Sequence, residues 1–178
     1  HPAADSPAGC FHCGLPVGNA AFPVRVEDVE RPTCCRGCQA VAQTIIDSGL
    51  GQYYAQRDQP ASRSEPLPAE LREQIQLYDN TDLQQGFVHI EAGAVREAAL
   101  LLEGITCAAC IWLNERHIGR LPGVLSVSIN YSTHRARVRW DEQQIKLSEI
   151  LAAIAAIGYI AHPFDPSRQE ALQKRERA

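Results

Sequence analysis

The stretch Gly104-Ile105-Thr106-Cys107-Ala108-Ala109-Cys110 decides how the chain is read. An apolar run at 98–102 precedes it and reads as a buried strand. A helical pattern at 108–117 follows it, with Ile111, Leu113 and Ile118 available to a core. Cys107 therefore falls in the connecting loop and Cys110 in the first helical turn. The N-terminus of a helix offers unpaired N–H groups and a partial positive charge, which favour thiolate over thiol. A thiol pair in that position suits a soft metal ion or redox chemistry.

The sequence downstream turns at Leu121-Pro122-Gly123-Val124 and then alternates. Leu125, Val127 and Ile129 are interleaved with polar residues, and so are Ala136, Val138 and Trp140, with a hairpin at Ser132-Thr133 between them. That period of two predicts two half-buried strands. A helix is predicted over 149–157, with Ser148 as its N-cap and Gly158 ending it, and a last strand over 159–163. The order β-α-β-β-α-β is the ferredoxin-like arrangement, so the fold class is α+β.

Five more cysteines lie upstream. Cys10-Phe11-His12-Cys13-Gly14 reads as a tight knuckle, and Cys34-Cys35-Arg36-Gly37-Cys38 runs into a helical pattern with Val41, Ile45 and Ile46 on one face. A strand-like piece, 22–29, sits between them, and Tyr53-Tyr54 is placed to pack back on the helix. Cys10, Cys13, Cys35 and Cys38 make two C-x-x-C pairs, the ligand set of a closed tetrahedral site that normally takes Zn(II); Cys34 is a possible substitute. So small a module buries little core, and a metal staple is physically reasonable in a treble-clef or zinc-ribbon-like domain. His12 reads as a bystander inside the knuckle. His89, His117, His134 and His162 show no ligand spacing and receive no role.

These patterns divide the chain into a cysteine-rich metal-binding module (8–56), a linker with a short helix and strand (57–93), the ferredoxin-like domain (94–164) and a polar tail (165–178). The tail, with Lys174, Arg175 and Arg177, is expected to lead towards a membrane part. Seven cysteines, an odd number, in C-x-x-C pairs fit reduced metal-binding thiols better than a disulfide framework. A net charge of -4 and a pI near 5.9 argue against nucleic-acid binding. There is no apolar run of about 18 residues, the length that spans a bilayer.

With Gly104 to Cys110 inside a β-α-β-β-α-β unit, residues 94–164 resemble a heavy-metal-associated domain, the copper-carrying fold of copper chaperones and of copper P-type ATPase tails. The family motif is Gly-Met-Thr-Cys-x-x-Cys, and Ile105 replaces its Met. Cys10-x-x-Cys13-Gly14 followed by Cys34-Cys35-x-Gly37-Cys38 is similar to a module that precedes this domain in bacterial copper ATPases tied to assembly of haem–copper oxidases. Residues 100–115 and Asn130-Tyr131-Ser132-Thr133-His134-Arg135-Ala136 are also close to that subgroup.

The resemblance implies Cu(I) on Cys107 and Cys110, with Thr106 and Tyr159 supporting the sulfurs. It implies exchange of that ion with a copper chaperone or the parent ATPase's own domains, for delivery to or regulation of a copper-exporting pump. It also implies a place on the cytoplasmic face of a bacterial inner membrane, held there only by transmembrane helices outside this chain. ATP hydrolysis would belong to a C-terminal part, since this chain has neither a phosphate-binding glycine loop nor a phosphorylatable Asp motif and is not expected to be an enzyme by itself. The exchange chemistry asks for thiols open to solvent. The competing readings are a thiol–disulfide redox module and a zinc-stabilised interaction domain without copper transfer. Arg135, Arg137 and Arg139 line one strand face and could dock an acidic partner.

Overall fold

The structure, a computed structural model, describes residues 9–18, 22–64 and 67–164. The expected tail at 165–178 lies outside the described residues.

The described residues open with the Cys10–Cys13 knuckle, followed by a hairpin of β1 (Val24–Val26) and β2 (Val29–Arg31) in antiparallel register. The single strand-like piece expected at 22–29 is thus two strands. Glu27 and Asp28 between them both have positive φ (47° and 67°), and that left-handed pair reverses the chain in two residues. Next come α1 (Arg36–Asp47) and the short α2 (Gln52–Gln56). Val41, Ala42 and Ile45 of α1 are buried, as the three-four spacing requires.

The region expected to be a linker with one short helix and a strand (57–93) carries two helices and a strand. It forms α3 (Ala69–Leu77), α4 (Thr81–Gln84) and β3 (Val88–Ile90). Asn80 starts the second of these helices: its side chain accepts from the N–H groups of Asp82 and Leu83 and so caps α4. Helix α3 packs on a helix of the ferredoxin-like unit, and β3 extends that unit's sheet.

That unit consists of β4 (Val95–Glu103), α5 (Ala108–Gly119), β5 (Val124–Asn130), β6 (Arg135–Asp141), α6 (Leu147–Ala156) and β7 (Ile160–Phe164). Strand β4 pairs antiparallel with β6 on one side. On the other side it pairs with β3 near its start and with β7 near its end, and β5 closes the far edge against β6. The expected β-α-β-β-α-β order is the observed one. Ala98, Leu100 and Leu102 of β4 and Ala136, Val138 and Trp140 of β6 turn inward under α5 and α6, as period-two alternation dictates. Val41, Ile45, Leu50 and Tyr53 of the N-terminal region join the same buried cluster, so one continuous core runs through both halves.

The N-terminus of α6 departs from expectation. The helix begins at Leu147, its capping position is Lys146, and Ser148 lies inside the first turn. The cap is supplied by Asp79, whose carboxylate accepts from Ser148 N (2.9 Å) and Ser148 Oγ (2.5 Å). A cap from 69 residues away could not be read from local spacing. Asp79→Ala is expected to lower stability by about 1 kcal/mol, the usual worth of a cap, measured as a reduced denaturant midpoint with an unchanged slope.

Candidate metal centres

Four sulfurs converge at the knuckle. Those of Cys10, Cys13, Cys34 and Cys38 all lie within 4.8 Å of one another. Cys13 Sγ is 3.5 Å from Cys34 Sγ, which is 3.8 Å from Cys38 Sγ. A tetrahedron with metal–sulfur bonds of about 2.3 Å has sulfur–sulfur edges of about 3.8 Å, so the spacing fits a four-thiolate ion. Here the structure differs from the expected set, in which Cys35 was the fourth thiol and Cys34 its substitute. Cys35 is instead the N-cap of α1, where its sulfur accepts from Cys38 N (3.4 Å) and donates to Ser64 O (3.4 Å). The extended backbone at Cys35 aims its sulfur along the helix start, and Cys34, one residue earlier, projects into the cluster.

Backbone N–H groups support the cluster. Cys13 N donates to Cys10 Sγ (3.5 Å) and Ser64 N to Cys38 Sγ (3.4 Å). Burial pushes the Cys10 thiol up, but hydrogen bonds from the backbones of Cys13, Cys34 and His12 outweigh it and bring it down to about 7. Burial raises Cys34 to about 12 and raises Cys38 as well, with the charges of Cys10 and Cys13 adding to the latter. The raised values mark Cys34 and Cys38 as protonated thiols at ordinary pH, and a cation among the sulfurs would be needed to hold all four as thiolates.

His12 is a bystander to the sulfurs yet holds the module together. It is buried, with Nδ1 2.9 Å from Tyr54 Oη and Nε2 3.2 Å from Ser64 Oγ. Burial and the nearby Arg57 guanidinium bring its pKa down to about 4, so the ring is neutral at ordinary pH. Arg57 donates to the carbonyls of Phe11 (2.8 Å) and His12 (2.5 Å) while its guanidinium sits over the Tyr53 and Tyr54 rings. Neither Arg57 nor Ser64 carried a signal in the sequence.

The second thiol pair stands at the start of α5, Cys107 at the capping position and Cys110 in the first turn. Burial raises the Cys110 thiol, but hydrogen bonding from the Thr106 backbone, the nearness of the Tyr159 hydroxyl, and hydrogen bonding from the Thr106 side chain and the Cys107 backbone more than offset this and hold it below the ordinary value. Thr106 Oγ1 is 3.5 Å from Cys110 Sγ. Thr106 and Tyr159 thus both stand beside the sulfur. The expectation of solvent-open thiols is overturned: Cys107 is 3% exposed and Cys110 0%. Tyr53 of α2, 0% exposed, and Tyr159 pack into the cluster that contains them.

His89, His117, His134 and His162 join no thiol or carboxylate cluster among the described residues. Arg137 pairs with Glu97 (3.0 Å) and Arg139 with Glu91 (2.7 Å), so much of the arginine stripe is neutralised within the chain. Among the described residues no helix is long and apolar enough to cross a membrane.

Fold and thiol sets together define a metal-binding chain of two cysteine-bearing parts. Residues 9–92 match the family described as putative metal-binding domain of cation transport ATPase, and residues 99–159 match the heavy-metal-associated domain. In these two stretches the chain is similar to the metal-binding regions of cation-transport ATPases. It is 36% identical over 83 residues to the probable copper-transporting ATPase PacS of Synechococcus elongatus, covering 47% of this chain and 11% of the relative. It is 41% identical over 58 residues to copper-transporting ATPase 2 of Rhizobium meliloti, covering 33% of this chain and 7% of that one. The chain thus spans only a small part of the length of these relatives. A solved N-terminal domain of PacS from Synechocystis PCC6803 aligns at 32% identity over 39% of this chain and 97% of that domain, with a TM-score of 0.35.

Proposed function

We propose that the chain binds Cu(I) as cargo between Cys107 and Cys110 and passes it on to transport domains of a larger copper P-type ATPase, having taken it from a copper chaperone. In this reading Cys10, Cys13, Cys34 and Cys38 hold a resident Zn(II) that staples the cysteine-rich part. The observation that carries the proposal is the Cys107–Cys110 pair at the α5 N-terminus, with Cys110 biased towards thiolate by Thr106 and Tyr159. Cu(I) is soft and accepts two-coordinate thiolate binding, which leaves room for an incoming third sulfur. Transfer then proceeds by ligand exchange, one Cu–S bond forming before another breaks, with no change in oxidation state. The similarity to copper-transporting ATPases supports the choice of ion. Zinc fits the four-sulfur geometry and would supply cross-linking only, with no step of the transfer passing through it.

Cu(I) titration against a chromogenic chelator, with elemental analysis of the same samples, tests this. The unmutated protein is expected to retain one tightly held copper at the pair. Cys107→Ser/Cys110→Ser is expected to lose that copper, weakening retention by at least about a hundredfold, while keeping its zinc. Zinc lost on the double change would overturn the two-site reading. Disulfide-reductase turnover without copper would favour a redox module instead.

A further inference from the structure

We propose that α2 is a lid on the Cys107–Cys110 pair, that Tyr53 is the side chain which closes it, and that metal exchange requires the cysteine-rich part to lift away. The lid is a statement about the thiols themselves; only its consequence for exchange rests on the copper reading above.

Three observations converge on it. The first is the burial of both cysteines, although the pair sits at the start of a helix and in the loop that leads into it. An incoming sulfur must reach bonding distance of a bound ion, about 2.3 Å for a thiolate, and no such approach exists to a pair with 3% and 0% exposure.

The second is what covers it. Helix α2 packs on α5, and Tyr53 is fully buried in the cluster that holds both cysteines. The Tyr159 hydroxyl lies beside the Cys110 sulfur, and the Tyr53 hydroxyl beside that of Tyr159. Neither hydroxyl attains the distance and angle of a full hydrogen bond, so both are buried donors aimed at the thiol site with their bonding incomplete. Incomplete bonding weakens closure and leaves the lid able to open.

The third is the seam. Arg120, exposed at the end of α5, donates to Ser48 O (3.0 Å) just ahead of α2. Gly158, next to Tyr159, lies so close to Val41, Ser64 and His12 that an added Cβ would stand 3.1 Å from Val41 Cγ1 and 3.2 Å from Ser64 Oγ. Arg57 and the Tyr54–His12 hydrogen bond tie α2 back to the Cys10–Cys13 knuckle. The lid is therefore carried by the four-sulfur module, and that module moves with it.

The test is pulse alkylation of the reduced full chain with iodoacetamide, with Cys107 and Cys110 quantified by peptide mass spectrometry. Modification of the pair is expected to be slow in the unmutated protein and at least about tenfold faster in Tyr53→Ala. Arg120→Ala, which removes one surface contact of the seam, is expected to fall between them. Amide hydrogen exchange in β4 and β6 reports whether the ferredoxin-like unit stays folded in each variant; if Tyr53→Ala loses that protection, Arg120→Ala decides. Equal rates in all forms with β4 and β6 protected would overturn the lid. Slow alkylation with no Cu(I) binding would leave the lid and sink the cargo reading. Fast alkylation of the unmutated pair with Cu(I) still bound would do the opposite.

Discussion

Cys34→Ser is expected to strip zinc from the cysteine-rich part and unfold it, while Cys35→Ser keeps both. The two residues are neighbours, and either can be written into a four-cysteine pattern, but their sulfurs face different work. Cys34 Sγ is within 3.5 and 3.8 Å of two other cluster sulfurs, and Cys35 Sγ receives the Cys38 N–H at the start of α1. A structural zinc contributes on the order of 10 kcal/mol or more to the fold of a small domain. Serine at position 34 replaces a thiolate by a poor zinc ligand and leaves three sulfurs in a space shaped for four. The knuckle and the β1–β2 hairpin depend on it most, since α1 is also anchored by Val41 and Ile45 in the common core. Serine at position 35 remains a good N-cap, so that variant is expected to stay within about 1 kcal/mol of the parent. Elemental analysis with far-ultraviolet circular dichroism reads both effects. Zinc lost from Cys35→Ser and kept in Cys34→Ser would return the fourth position to Cys35.

That ambiguity shows where the sequence stops being informative. The ferredoxin-like order was legible because each strand carries its own alternation and each helix its own three-four spacing; Leu100, Val138 and Trp140 announce their faces without reference to anything distant. The position of Cys107 and Cys110 at a helix start was legible for the same reason. Cys34 and Cys35 could not be separated, since the backbone angles at Cys35, φ -160° and ψ 168°, decide which sulfur turns inward. Asp79 as the cap of α6 and Tyr53 over the thiol pair are contacts between distant segments, and no period or spacing encodes them. Burial of the thiols is not legible on the same ground: read alone, the loop before α5 is a surface loop, and in the fold it is packed into the common core with Tyr53 and Tyr159.

Gly123→Ala is expected to cost about 2–4 kcal/mol, whereas the same replacement four residues earlier, Gly119→Ala, is expected to be neutral or stabilising by up to about 1 kcal/mol. Gly123 sits in the turn between α5 and β5 with φ 98°, in the left-handed half of the map that L-residues avoid. A Cβ there would also stand 2.8 Å from Gln144 Cβ and 2.8 Å from Ile145 Cγ2, so the turn and the segment before α6 would have to part. Ile145 is itself buried, and its displacement would loosen the packing under α6. Gly119 ends α5 with ordinary helical backbone, and its added Cβ would meet Val127 Cγ1 at 3.6 Å, an ordinary contact. Both sites lie at the opposite end of α5 from Cys107 and Cys110. The thermal midpoint should therefore fall in Gly123→Ala and stay level or rise in Gly119→Ala, while copper stoichiometry at the pair stays that of the parent. A loss of copper binding in folded Gly123→Ala would mean that the α5 N-terminus senses strain at its far end, and the thiol pair could then no longer be treated as a site organised locally by the first turn of that helix.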